Sequence, residues 1–136
     1  MKKLILFSTV ICLLCSANVV FAEDFDSLEG ITAAQKQQLT QIQYNFKQEN
    51  NSLETRIMEY NNKIEQVKND KDKTTEQAAL LTSAYERNLS TLKTQQKLLE
   101  QKTDNLYKSV LTDEQYNQYK AQQTNVQDSF NKFLQK

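Results

Sequence analysis

Apolar residues recur at a spacing of seven along two long stretches of this chain, residues 32 to about 68 and about 75 to 111. The rows are Leu39, Phe46, Leu53, Tyr60 and Val67 in the first stretch, and Ala78, Tyr85, Leu92, Leu99 and Leu106 in the second. Such a row is typical of a helix that packs lengthwise on another helix. Residues 69–73 contain no apolar side chain and predict a turn. The two stretches therefore predict an antiparallel hairpin of long helices.

A third helix is predicted from Asp113 to about Leu134. Its apolar residues are spaced by three, four or seven positions: Tyr116, Tyr119, Val126, Phe130 and Phe133. The chain has no proline and a single glycine, Gly30, whereas sheets need both residues in their turns. We therefore expect an all-α fold of three to four helices, the fourth arising if the first helix breaks at residues 50–52.

Two short segments have the pattern of a helix N-terminal capping box. Thr112 can cap the third helix while Gln115 reaches back to the Thr112 backbone N–H. Leu111 and Tyr116 are placed to form a hydrophobic staple across this cap. A looser copy, Ile31-Thr32-Ala33-Ala34-Gln35, opens the first helix.

The N-terminus has the pattern of a secretory signal peptide. Lys2 and Lys3 precede an apolar run over residues 4–14, and Val20-Phe21-Ala22 offers a cleavage site after Ala22. The run is short for a membrane span. An uncleaved membrane anchor, or lipidation at Cys12 or Cys15, stays open as an alternative. Residues 1–22 are thus predicted to be a signal peptide, residues 23–30 a flexible acidic leader, and residues 31–136 the helical domain.

With the signal peptide, the paired boxes Ile31-Thr32-x-x-Gln35 and Leu111-Thr112-x-x-Gln115 resemble the LTxxQ repeat of the Spy/CpxP family of periplasmic proteins. The resemblance extends over the whole mature chain. It implies a cradle-like homodimer that acts as an ATP-independent chaperone for unfolded or non-native envelope proteins, or that inhibits an envelope-stress sensor kinase through its periplasmic domain.

The residue types limit the chemistry available to the chain. There is no histidine, both cysteines lie in the signal peptide, and one glycine cannot form a Gly-rich phosphate loop. Equal numbers of acidic and basic residues give no basic excess for nucleic acid. We therefore expect no enzyme activity, no cofactor, no metal site and no nucleic-acid partner. Family relatives that bind metals use His or Met, and after residue 22 this chain retains only Met58.

Five large apolar residues fall outside the heptad rows: Tyr44, Met58, Leu80, Leu98 and Tyr107. They either pack against a third helix, stand singly exposed, or form a surface for a client or partner protein. Three functions follow: a periplasmic holdase of the Spy/CpxP type, a secreted coiled-coil assembly module that binds a defined partner, or a regulatory ligand of a sensor kinase.

Overall fold

A computed structural model describes residues 25–135 of the chain. Three α-helices account for most of these residues: α1 (Ala33–Asn69), α2 (Thr75–Val110) and α3 (Asp113–Leu134). A short 3-10 helix, Phe25–Ser27, precedes them, and the described residues contain no strand. The all-α prediction of a long helical pair followed by a C-terminal helix is confirmed. α1 is continuous through residues 50–52, so the possible break does not occur.

None of the helices within residues 25–135 has a stretch apolar and long enough to cross a bilayer. The predicted signal peptide, residues 1–22, lies outside the described residues. The described chain divides into two compact units. We call residues 25–43 with 106–135 the terminal unit, and residues 44–105 the hairpin unit.

In the hairpin unit the two long helices run antiparallel along a shared seam. Asn50 of α1 accepts a hydrogen bond from Nε2 of Gln96 on α2 at 2.9 Å, and ten residues further along α1 the Tyr60 ring lies 6.0 Å from the Tyr85 ring. Asn50 is buried and also donates to Glu54, so both the oxygen and the nitrogen of its amide have a hydrogen-bond partner. Polar pairs of this kind fix the register of packed helices.

The heptad rows describe this seam well as far as Leu99. The buried apolar residues of the hairpin unit are Ile64, Val67, Leu92 and Leu99, of which all but Ile64 belong to the heptad rows. Near the end of α2 the prediction is wrong, because Leu106 is 41% exposed while Tyr107 is 5% exposed. A straight α-helix drifts by about 20° per heptad, so after four heptads the buried position has moved by nearly one residue. Tyr107, predicted as part of a client surface, is therefore a core residue.

The terminal unit has its own apolar core. It is formed by Phe25, Leu28, Leu39, Tyr107, Leu111 and Tyr119. Residues 23–30 were predicted to be a flexible leader, and the described part of that segment is instead packed, with Phe25 and Leu28 almost fully buried. The reason is that α2 and α3 together present aromatic rings that this segment covers, a surface that no local sequence pattern reveals.

Candidate functional site

The second capping box forms as predicted. Thr112, with φ −66° and ψ 163°, is the N-cap of α3. Its Oγ1 accepts from the Gln115 N–H at 3.2 Å, and Gln115 Oε1 accepts from the Thr112 N–H at 3.1 Å. Leu111 is buried in the core of the terminal unit and Tyr116 packs against the same core, as a hydrophobic staple requires.

The first box has the same geometry at the start of α1. Thr32 Oγ1 accepts from the Gln35 N–H at 3.1 Å, and Gln35 Oε1 accepts from the Thr32 N–H at 2.9 Å. Ile31 packs partly buried against the core of the terminal unit. Both predicted Thr-x-x-Gln segments therefore act as helix caps.

The two boxes also interlock, which the sequence did not predict. Gln35 Nε2 donates to Gln115 Oε1 at 2.9 Å and to the backbone carbonyl of Val110 at 3.0 Å. Val110 ends α2, so this carbonyl has no partner within its own helix. Gln115 Nε2 in turn donates to the Glu29 carbonyl at 3.1 Å. The two amides thus join the starts of α1 and α3 to the end of α2.

A third box of the same type opens α2. Thr74 Oγ1 accepts from the Gln77 N–H, and Gln77 Oε1 accepts from the Thr74 N–H, both at 3.2 Å. The sequence carries the same Thr-x-x-Gln signal at this position, as Thr74-x-x-Gln77. Residue 73 is a lysine, so no staple forms here. Within residues 25–135, Nε2 of Gln77 makes no hydrogen bond to another element, which sets this box apart from the other two.

Four of the five residues predicted for a client or partner surface are exposed. The exposed fractions are 59% for Tyr44, 50% for Met58, 72% for Leu80 and 58% for Leu98. All four belong to the hairpin unit. Tyr107, the fifth, is buried in the core of the terminal unit and does not belong with them.

Other large apolar side chains are exposed where the sequence predicted packing. They are Leu106 on α2 and Val126 and Phe133 in the second half of α3; Leu134, at the end of α3, is exposed as well. Val126 and Phe133 continue the spacing of the packed first half of α3, so periodicity alone could not distinguish the covered half from the exposed half.

No three His, Cys, Asp or Glu side chains come together as a metal site among residues 25–135. Two depressions on the hairpin unit are open to solvent, and most of the residues that line them are polar. One is lined by Asn62, Glu65, Gln66, Asn69 and Asp70, and another by Glu86, Leu89, Ser90, Lys93, Thr94 and Lys97. A small ligand in either of these two depressions would stay largely exposed to solvent.

Searches with this chain found no matching protein-family model, no matching curated protein and no matching solved structure. The resemblance to the Spy/CpxP family thus stays a prediction that rests on the two boxes and the N-terminal segment.

Proposed function

We propose that the protein is an ATP-independent chaperone of the Spy/CpxP type, exported to the periplasm by cleavage after Ala22. It holds non-native envelope proteins through apolar side chains displayed on the two helices of the hairpin unit. A role toward an envelope-stress sensor kinase would use the same surface.

The observation that carries this proposal is the exposure of Tyr44, Met58, Leu80 and Leu98. At about 1.5 Å per residue, Tyr44 and Met58 lie about 21 Å apart along α1, and Leu80 and Leu98 about 27 Å apart along α2. Each residue therefore offers a separate small contact. Contacts of this kind bind weakly one at a time and together hold an extended, unfolded chain without requiring one fixed partner sequence.

The side chains around these residues suit a surface that binds many sequences. They are mainly Gln, Asn, Lys and Glu, whose flexible stems adapt to different partners and, in lysine, add apolar contact. Nothing in such a surface depends on nucleotide.

The hairpin seam argues against a coiled-coil assembly module. The heptad rows that could have bound a partner helix are used within the chain, since Leu92 and Leu99 are buried and the polar Asn50 pairs with Gln96. Along the hairpin unit the exposed large apolar residues outside the seam form no continuous heptad row, since the polar Asn51 occupies the heptad position between Tyr44 and Met58.

The test measures light scattering of a chemically denatured protein diluted into buffer without nucleotide. We expect the protein, expressed from its full sequence and purified, to suppress aggregation at a several-fold molar excess. A variant with Tyr44, Met58, Leu80 and Leu98 all changed to serine should lose most of this effect with unchanged helical circular dichroism. The matched control changes the exposed polar residues Gln48, Asn61, Asn88 and Gln95 to serine and should keep it.

If the unaltered protein does not suppress aggregation, the proposed chaperone function is refuted. Capture of one stoichiometric partner, with no effect on generic clients, would favour the assembly module instead. Equal loss in the control variant would show that the four apolar residues are not the binding surface.

A further inference from the structure

The segment before α1 folds back as a short turn and inserts two apolar side chains into the terminal unit. Phe25–Ser27 forms a 3-10 helix closed by a hydrogen bond from the Leu28 N–H to the Phe25 carbonyl at 3.2 Å. Phe25 is 6% exposed and Leu28 3%. Gly30, the one residue with positive φ among residues 25–135, reverses the chain between this turn and α1. We call residues 25–28 the N-terminal turn.

The surface beneath the N-terminal turn is aromatic. The Phe25 ring lies 5.6 Å from the ring of Tyr107 on α2 and 5.6 Å from the ring of Tyr119 on α3. These two tyrosines also contact each other edge to face at 5.3 Å. Leu39 and Leu111 complete the same buried cluster. We call the surface formed by Leu39, Tyr107, Leu111 and Tyr119 the aromatic groove.

Polar groups at the edge of the aromatic groove bind the main chain and the small side chains of the turn region. Gln118 Oε1 accepts from the Glu29 N–H at 3.0 Å, and Gln122 Nε2 donates to Ser27 Oγ at 2.9 Å. Lys36 pairs with Asp26 at 2.6 Å. An apolar floor with a few polar groups at its edge is the composition of a peptide-binding site.

Phe25 and Leu28 belong to the core of the terminal unit, but three contacts between its helices form without residues 25–28. Gln35 joins α1 to Val110 and to Gln115, and Tyr107 packs directly on Tyr119. The N-terminal turn therefore packs on the groove as a bound peptide would, and it is connected to α1 through Gly30.

We propose that the aromatic groove is a peptide-binding site filled by the chain's own N-terminal turn, and that it accepts short aromatic-x-x-aliphatic segments of non-native proteins when the turn is displaced. The proposal rests on the chaperone function for the source of those segments. An acidic residue directly after the aromatic one, as in Phe25-Asp26, favours binding because Lys36 faces that position. A tethered segment competes at an effective concentration in the millimolar range, so the turn holds weak ligands out of the groove.

The test measures binding of a fluorescent, end-blocked peptide of residues 23–30 by anisotropy. The receptor is the full protein carrying Phe25→Ala and Leu28→Ala, which empties the groove. We expect saturable binding to this double variant and about tenfold weaker binding to the unaltered protein, whose own turn competes. The same peptide with alanine in place of Phe25 and Leu28 should not bind.

Adding Gln118→Ala to the double variant locates the site. Removal of the carbonyl that accepts the Glu29 N–H should weaken peptide binding several-fold, whereas an unchanged affinity would place the peptide elsewhere and refute the proposal. A folded double variant that fails to bind the peptide also refutes it. Loss of helical circular dichroism in the double variant would also refute the proposal, because the terminal unit would then need the turn in order to fold.

Peptide binding and suppression of aggregation are separate readouts. If the double variant binds the peptide while the unaltered protein suppresses no aggregation, the peptide-binding site is supported and the chaperone proposal is refuted. If the unaltered protein suppresses aggregation but the folded double variant does not bind the peptide, the chaperone proposal is supported and the peptide-binding site is refuted.

Discussion

At the scale of single residues, the informative side chains are three glutamines in the same local motif. Gln35, Gln115 and Gln77 all accept a hydrogen bond from the N-cap N–H of their own helix. Only Gln35 and Gln115 also use the amide nitrogen to reach another element. A glutamate could replace the acceptor function but not the donor function. The need for a donor therefore accounts for glutamine at positions 35 and 115.

The capping function of these residues could be predicted from the sequence, and their long-range function could not. Thr-x-x-Gln predicts a local hydrogen-bond pair because its members are three residues apart. The Gln35–Gln115 contact joins residues eighty positions apart, and it depends on where three helix ends meet. No local pattern encodes that meeting.

Asp70 lies in the turn between α1 and α2, next to Lys73. The hydrogen bond from the Lys73 ammonium, helped by one from the Asp72 N–H, holds the pKa of the Asp70 carboxyl below its ordinary value. A lowered carboxyl pKa means that the pair stabilises the folded state above the unfolded-state pKa, and that this contribution is lost as pH falls through the folded-state value.

We expect a carbon-13 NMR titration to give Asp70 a midpoint lower than that of an ordinary aspartate. Lys73→Ala should raise this midpoint. The control is Lys71→Ala, which removes a neighbouring exposed lysine and should leave the Asp70 midpoint unchanged. An Asp70 midpoint that does not respond to Lys73→Ala would contradict the assigned cause.

At the scale of whole elements, periodicity predicted the existence and order of the helices and most of the seam. It failed at the end of α2 and in the second half of α3. In α2 the strict spacing of seven leads to Leu106, whereas a helix with 3.6 residues per turn buries Tyr107. In α3 the apolar spacing continues to Phe133, although the packed part includes Gln115 and Tyr119 and not Val126.

This difference gives a matched pair of neighbouring variants. Tyr107→Ala should lower the free energy of unfolding by about 3–5 kcal/mol, because it removes a buried ring that contacts Phe25 and Tyr119. Leu106→Ala should change it by no more than about 0.5–1 kcal/mol, since Leu106 is 41% exposed and fills no buried site. Urea denaturation followed by circular dichroism measures the free energy of unfolding of both variants. A larger loss for Leu106→Ala than for Tyr107→Ala would contradict the burial of Tyr107 and support the strict spacing of seven.

At the scale of the whole molecule, the contacts that join the helix ends and the four exposed apolar residues belong to different units. The terminal unit contains the interlocked boxes, the aromatic core and the N-terminal turn. The hairpin unit displays the four exposed apolar residues of the proposed client surface. The sequence indicated which residues stand off the seam, but it could not show that Tyr107 belongs to the core, because the segment covering Tyr107 comes from the opposite end of the chain.

The central claim is that the Thr32-x-x-Gln35 and Thr112-x-x-Gln115 boxes join the helix ends of the terminal unit through the Gln35 and Gln115 amides. The most direct measurement is the free energy of unfolding, from urea denaturation at neutral pH, of Gln35→Glu beside Gln77→Glu. Both changes keep an acceptor for the N-cap N–H and add the same charge near a helix N-terminus.

We expect Gln35→Glu to lower the free energy of unfolding by about 1–3 kcal/mol, because a carboxylate cannot donate to the Val110 carbonyl or to Gln115 Oε1. Gln77→Glu should be neutral or slightly stabilising. Equal stabilities of the two variants would show that the boxes are only local caps and would contradict the account.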